Sequence, residues 1–113
     1  MWKFVCLIAL LFVSIPAVFG QSDNGSITGF ARDPSGAVIP KAKVTLRNEA
    51  TGVRQQAGTD DSGYYIFNSV EPGLYTVTVE ANGFKRFDSI HNKLDPSSTL
   101  KLDAALTDRK SVV

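Results

Sequence analysis

A chain of 113 residues with a formal net charge of +1 is sized for one domain. It has no cationic excess to neutralise a phosphate backbone, which argues against nucleic acid as a partner. Its one cysteine, Cys6, lies near the amino end, so the rest of the chain must be held by an apolar core without disulfides.

The first segment, MWKFVCLIALLFVSIPAVFG, has a single charge at Lys3, an apolar run over 4–13, and small residues towards Gly20. That order predicts a secretion signal over 1–20, cut so that Val18 and Gly20 lie three and one residues before the break and Gln21 begins the mature chain. The competing reading is an uncleaved membrane anchor. The apolar run is well short of the ~20 residues needed to span a bilayer, and Pro16 breaks its continuation. Cys6 lies too far before the cut to be a lipid-modified first residue. Without residues 1–20, eleven lysines and arginines face eleven aspartates and glutamates, and the net charge is about zero. No further stretch is long and apolar enough for a transmembrane segment.

From residue 26 the apolar residues alternate in short runs. SITGFAR (26–32) puts Ile27, Gly29 and Ala31 on one face, and DPSG (33–36) breaks the run. KVTLRN (43–48) turns Val44 and Leu46 inward. VRQQAGT (53–59) is polar and reads as an exposed edge strand, the best place for a partner to add a strand of its own. YYIFNSV (64–70) turns Tyr65 and Phe67 inward. EPG (71–73) precedes the cleanest strand, LYTVTVEA (74–81), with Tyr75, Val77 and Val79 inward. Asn82-Gly83 turns the chain into FKRFDSI (84–90), with Phe84 in the core. DPSS (95–98) leads to TLKLDAAL (99–106), where Leu100, Leu102 and Ala104 alternate with polar residues. Residues 107–113 lack alternation and read as a loose tail. Seven short strands with frequent turns and no helical period predict an all-β sandwich over 21–106, each sheet burying one face.

Two ordered blocks of residues carry a resemblance. Gly25, Ile27, Gly29, Asp33, Gly36, Pro40, Ala42 and Val44 form one; Thr59, Gly63, Tyr65, Phe67, Pro72, Gly73, Tyr75, Val77, Val79, Gly83 and Phe84 form the second. The chain resembles a carboxypeptidase regulatory-like domain, which implies a seven-stranded transthyretin-like (prealbumin-like) sandwich of the carbohydrate-binding-like group. In that family such domains are non-catalytic. They flank peptidases or stand at the amino end of large Oar-like, TonB-dependent outer-membrane receptors. Phe30 departs from the small polar residue usual there, and Lys41 from a common glycine after the proline. The sequence ends soon after the last expected strand, so neither a transport nor a peptidase role is carried over from the family.

TDDSGYYIF (59–67) raises the question of chemistry. Adjacent side chains of an extended strand point to opposite faces, so Asp60 and Asp61 make a poor catalytic pair. A calcium site needs six to eight oxygens, more than this loop offers. The alternative is a turn closed by an aspartate, with Gly63 at positive φ. His91 is the only histidine and zinc would require several ligands, so it is expected at the surface. Ser89, His91 and Asp88 lie too close in one strand to form a triad, and no G-x-S-x-G occurs. No catalytic residue, metal or cofactor is expected. Phe30, Tyr64 and Phe87 fall out of step with the buried alternation; if they point outward, they form an apolar surface for a sugar ring or a protein. The expectation is an exported, non-catalytic interaction module of the periplasm, outer membrane or cell exterior, its partner a protein or a glycan. It would stand alone or as the amino end of a truncated receptor. The alternative is a carbohydrate-binding module, and an enzyme is the remotest reading.

Overall fold

The computed structural model describes residues 23–109. The expected signal segment lies outside the described residues. Eight strands follow in chain order: β1 (Gly25–Arg32), β2 (Lys43–Asn48), β3 (Arg54–Gly58), β4 (Tyr64–Val70), β5 (Gly73–Glu80), β6 (Phe87–Leu94), β7 (Thr99–Lys101) and β8 (Ala104–Ala105). They form two sheets. One has the order β4-β1-β7, with β8 also on β1; the other has the order β3-β2-β5-β6. The chain crosses between sheets after β1, β3, β4 and β6, which gives a sandwich with both inner faces buried. Pairing is antiparallel except that β7 and β8 run parallel to β1.

Period two builds the core. Ile27, Ala31, Val44, Leu46, Tyr65, Phe67, Tyr75, Val77 and Val79 are buried as their alternation predicts, while Phe84, Leu100 and Leu102 are partly buried against them. Each large member contributes ~1.5–3 kcal/mol when fully buried. Val44 opposes Val79 and Leu46 opposes Val77 across β2 and β5, so these pairs share the inner face. Six more residues complete the core: Ile39, Ala42, Val70, Leu94, Ala104 and Leu106. Ile39 and Ala42 come from the crossover after β1. The buried Thr59 hydroxyl holds this segment, accepting from the Ala42 N–H at 2.8 Å and donating to the Ile39 carbonyl at 2.7 Å.

The seventh expected strand is present as two pieces, β7 and β8, with a break at Leu102-Asp103. The break has a physical cause. The Leu102 carbonyl lies over Gly29, where a Cβ would come within 1.8 Å of its oxygen, and it accepts the Tyr65 hydroxyl. The Phe30 N–H is then satisfied by the Asp103 carboxylate at 2.9 Å. Burial and, secondarily, the Asp103 charge push the Tyr65 phenol above its ordinary pKa, so it stays a donor.

The sixth strand begins at Phe87 rather than at residue 84, because Phe84 sits in a turn with its N–H on the Ala81 carbonyl at 3.1 Å. The start of the expected loose tail is held: Lys85 N–H donates to the Thr107 carbonyl at 2.8 Å, and Arg109 N–H to the Gly83 carbonyl at 3.0 Å. The tail expectation therefore does not hold for Thr107 to Arg109, because a backbone ladder ties them to the turn before β6. Residues 110–113 lie outside the described part.

Candidate functional site

The tandem aspartates sit in a turn. The Asp60 carboxylate accepts the N–H groups of Ser62 at 2.8 Å and Tyr64 at 3.0 Å, and Gly63 N–H donates to the Asp60 carbonyl at 2.9 Å. Asp33 repeats this geometry, accepting from Ser35 N–H at 2.9 Å and Ala37 N–H at 3.0 Å, with Gly36 N–H on its carbonyl. D-P-S-G and D-D-S-G are one device used twice: an aspartate folds back over the turn and a glycine at positive φ closes it (φ 88° at Gly36, 74° at Gly63). The Ser35 hydroxyl is the largest influence on Asp33 and, with three backbone N–H donors, holds its carboxyl below the ordinary value. Asp61 is exposed beside Asp60. Among the described residues no three His, Cys, Asp or Glu side chains are grouped to hold a metal ion.

Two of the three singled-out aromatics meet. Phe30 on β1 and Tyr64 on β4 are directly opposed on the outer face of the first sheet, with ring centroids 5.3 Å apart and planes inclined at 58°. The Arg32 guanidinium lies 4.8 Å from the Phe30 ring centroid. Ile66, two residues along β4 and 41% exposed, extends the apolar surface. Phe87 does not join them. It opposes Val79 across β5 and β6, hence faces inward, and packs partly against the core of the other sheet. The expectation that Phe87 could belong to this surface is corrected by that register.

His91 lies at the surface, on a bulge of β6 with φ 58°. Its ring Nδ1 is 2.7 Å from Glu49 Oε1, and its backbone N–H donates to Glu49 Oε2 at 2.8 Å. Burial raises the Glu49 pKa, but His91 and the Thr76 hydroxyl outweigh it and hold the carboxyl below its ordinary value. No sequence spacing links residues 49 and 91, so this clamp is visible only in the fold. β3 is an edge strand of its sheet with most of its residues exposed, as its polarity predicts.

The described residues define an all-β sandwich of two sheets. The chain belongs to the carboxypeptidase regulatory-like domain family, whose model matches residues 26–107. No curated protein matches it. Among solved structures it is similar to the Bacillus anthracis TIE protein (19% identity, TM-score 0.65, covering 76% of this chain and 17% of that one). It is similar to a candidate carbohydrate-binding protein of Bacteroides uniformis (21%, TM-score 0.60, 74% and 41%). It is also similar to a point mutant of the catechol 1,2-dioxygenase of Acinetobacter radioresistens (14%, TM-score 0.63, 80% and 54%). The chain thus spans between about a sixth and about a half of these proteins, and at such identities the likeness is one of fold. Among the described residues no helix is long and apolar enough to cross a membrane.

Proposed function

We propose that this protein is an exported, non-catalytic β-sandwich module that docks a protein partner at the cell envelope through the outer face of its first sheet. The observation that carries the reading is the contacting Phe30–Tyr64 pair, extended by Ile66, on a strand face that would otherwise be polar. Aromatic anchors beside an arginine are the residue types that dominate protein interfaces. The 58° inclination of the two rings gives no flat platform for a sugar, which favours a protein over a glycan here. Export rests on the charged, apolar and small-residue order of residues 1–20. The family's place at the amino end of Oar-like, TonB-dependent receptors supports the envelope.

The test is a photo-crosslinking residue at position 64, with one at position 35 as control, in the producing cells. A discrete adduct with one envelope protein from position 64 alone is expected, with the amino terminus of the recovered chain at Gln21. Equal labelling from both positions, or a chain retaining residues 1–20 in the cytoplasm, refutes the proposal. A carbohydrate-binding role is the second reading, favoured by the likeness to the Bacteroides uniformis protein. If it holds for this face, Phe30→Ala and Tyr64→Ala abolish binding to a neutral oligosaccharide.

A further inference from the structure

The outer face of the second sheet has a different chemistry. Lys43, Thr45 and Arg47 point outward from β2, and the residues opposed to them share that face: Glu80 to Lys43, Gln56 and Thr78 to Thr45, Arg54 and Thr76 to Arg47. Thr76 and Thr78 are only 8% and 7% exposed, floor residues beneath longer basic side chains. The sheet places Arg47 directly across from Arg54, an arrangement that destabilises a strand pair. Neither arginine has an ion-pair partner among the described residues. The nearby carboxylates are engaged: Glu49 by Thr76 and His91, Asp88 by the Thr78 hydroxyl at 2.6 Å and Arg86 at 3.1 Å. Glu80 alone remains, opposite Lys43.

Two depressions of 340 and 360 Å³ adjoin here and share Lys43, Glu80 and Arg86. Together they gather Lys41, Lys43, Arg47, Arg54, Arg86 and Arg109, six of the ten lysines and arginines among the described residues. Lys41 holds φ 58°, a left-handed angle that favours glycine, so a cation stands at a strained position on the rim.

We infer that this face binds an acidic polysaccharide. Its carboxylates resolve the repulsion between Arg47 and Arg54 by accepting from both guanidinium groups, and its hydroxyls meet Thr45 and Gln56. Lys43 and Arg47 are four residues apart on one strand, about 13 Å, so the cations form a track suited to a linear polymer. A single-stranded nucleic acid fits less well, because the face between β3 and β5 has no aromatic side chain and Phe84, the ring that lines the adjoining depression, is partly buried against the core.

The test is calorimetric titration of the purified protein with hexagalacturonate, with maltohexaose as the uncharged comparator and oligo-dT as the phosphate comparator. Binding of hexagalacturonate that weakens with salt, and none of maltohexaose, is expected. Arg47→Ser with Arg54→Ser should weaken binding by about tenfold or more. The same double variant should melt no lower than the parent, because a like-charge pair has been removed. Phe30→Ser with Tyr64→Ser should leave hexagalacturonate binding unchanged, which separates this site from the protein-docking face. Absence of hexagalacturonate binding, equal binding of maltohexaose, tighter binding of oligo-dT, or a double arginine variant that keeps its affinity or melts lower overturns the inference.

Discussion

Replacing Gly29 by alanine puts a methyl carbon where the Leu102 carbonyl already lies. An ideal Cβ would sit 1.8 Å from the Leu102 oxygen, 2.6 Å from its carbon and 2.9 Å from the Tyr65 hydroxyl. Two of these are backbone atoms, so no side-chain rotation relieves the clash. The link between β7 and β8 would have to retreat by about 1 Å or more to restore ordinary separation. That retreat pulls the Leu102 carbonyl from the Tyr65 hydroxyl and Asp103 from the Phe30 N–H. Overpacking of this kind costs ~1–3 kcal/mol. The buried phenol, 1% exposed and left without its acceptor, adds about 1–3 kcal/mol. The expected loss is therefore ~2–6 kcal/mol, enough to consume much of the ~5–15 kcal/mol typical of a small domain. Urea unfolding followed by far-ultraviolet circular dichroism measures it. Tyr65→Phe, which keeps the ring and removes only the donor, should lose ~1–3 kcal/mol. A Gly29→Ala protein within about 0.5 kcal/mol of the parent would refute the seam as drawn, since ordinary surface changes fall in that range.

Thr59→Val removes the hydroxyl that pairs Ala42 and Ile39, leaving a buried N–H without an acceptor; a loss of ~1–3 kcal/mol, or ~4–8 °C of Tm per kcal/mol, is expected in thermal melts. Lys41→Gly relieves a left-handed residue and should stabilise by about 1 kcal/mol, read as a higher urea midpoint with an unchanged slope. Asp33, Glu49 and Asp88 are held below their ordinary values of 3.8, 4.5 and 3.8 in the folded protein. For Asp88 the Thr78 hydroxyl is the largest cause. The unfolded chain takes up these protons first, so their stabilising contribution is present above about pH 4.5 and is lost as pH falls through the lower folded values. A Tm that is flat between about pH 6 and pH 5 and falls below about pH 4 is expected; in Asp88→Asn the acid fall should be shallower.

Strict alternation reads correctly wherever a strand is regular, and it fails at residues that leave no mark in the sequence. In β4 the run from Tyr65 to Phe67 alternates, but Ser69 adopts φ 55° and Val70 turns inward where period two would place it outward. In β6 the register shifts between Ser89, opposite Val77, and Asn92, opposite Tyr75, with His91 at φ 58° on the bulge. Leu94 is thereby buried where period two from Phe87 would place it outward. Both bulges use non-glycine residues at positive φ, so the usual glycine signal is missing. Of the outer aromatic surface, Phe30 and Tyr64 are readable because each breaks its strand's alternation. Phe87 breaks it only if β6 is begun at residue 84 instead of at Phe87 itself.

A near-neutral total does not mean a neutral surface. Some acids of this chain stand where the backbone needs acceptors: Asp33 and Asp60 close turns, and Asp103 fills a gap in a ladder. Side-chain carboxylates bound to N–H groups in this way are fixed at the ends and seams of the sandwich. Opposite and along Lys43, Thr45 and Arg47, the outward positions of β3 and β5 hold Arg54, Gln56, Gly58, Thr76, Thr78 and Glu80, with Glu80 the one acid among them. Net charge sums these two populations and hides their separation. What bears on the kind of anion is therefore the side chains beside the cations: between β3 and β5 a hydroxyl and an amide, which suit a sugar, and at the rim a single ring, Phe84, that is partly buried against the core and offers a base little to stack on.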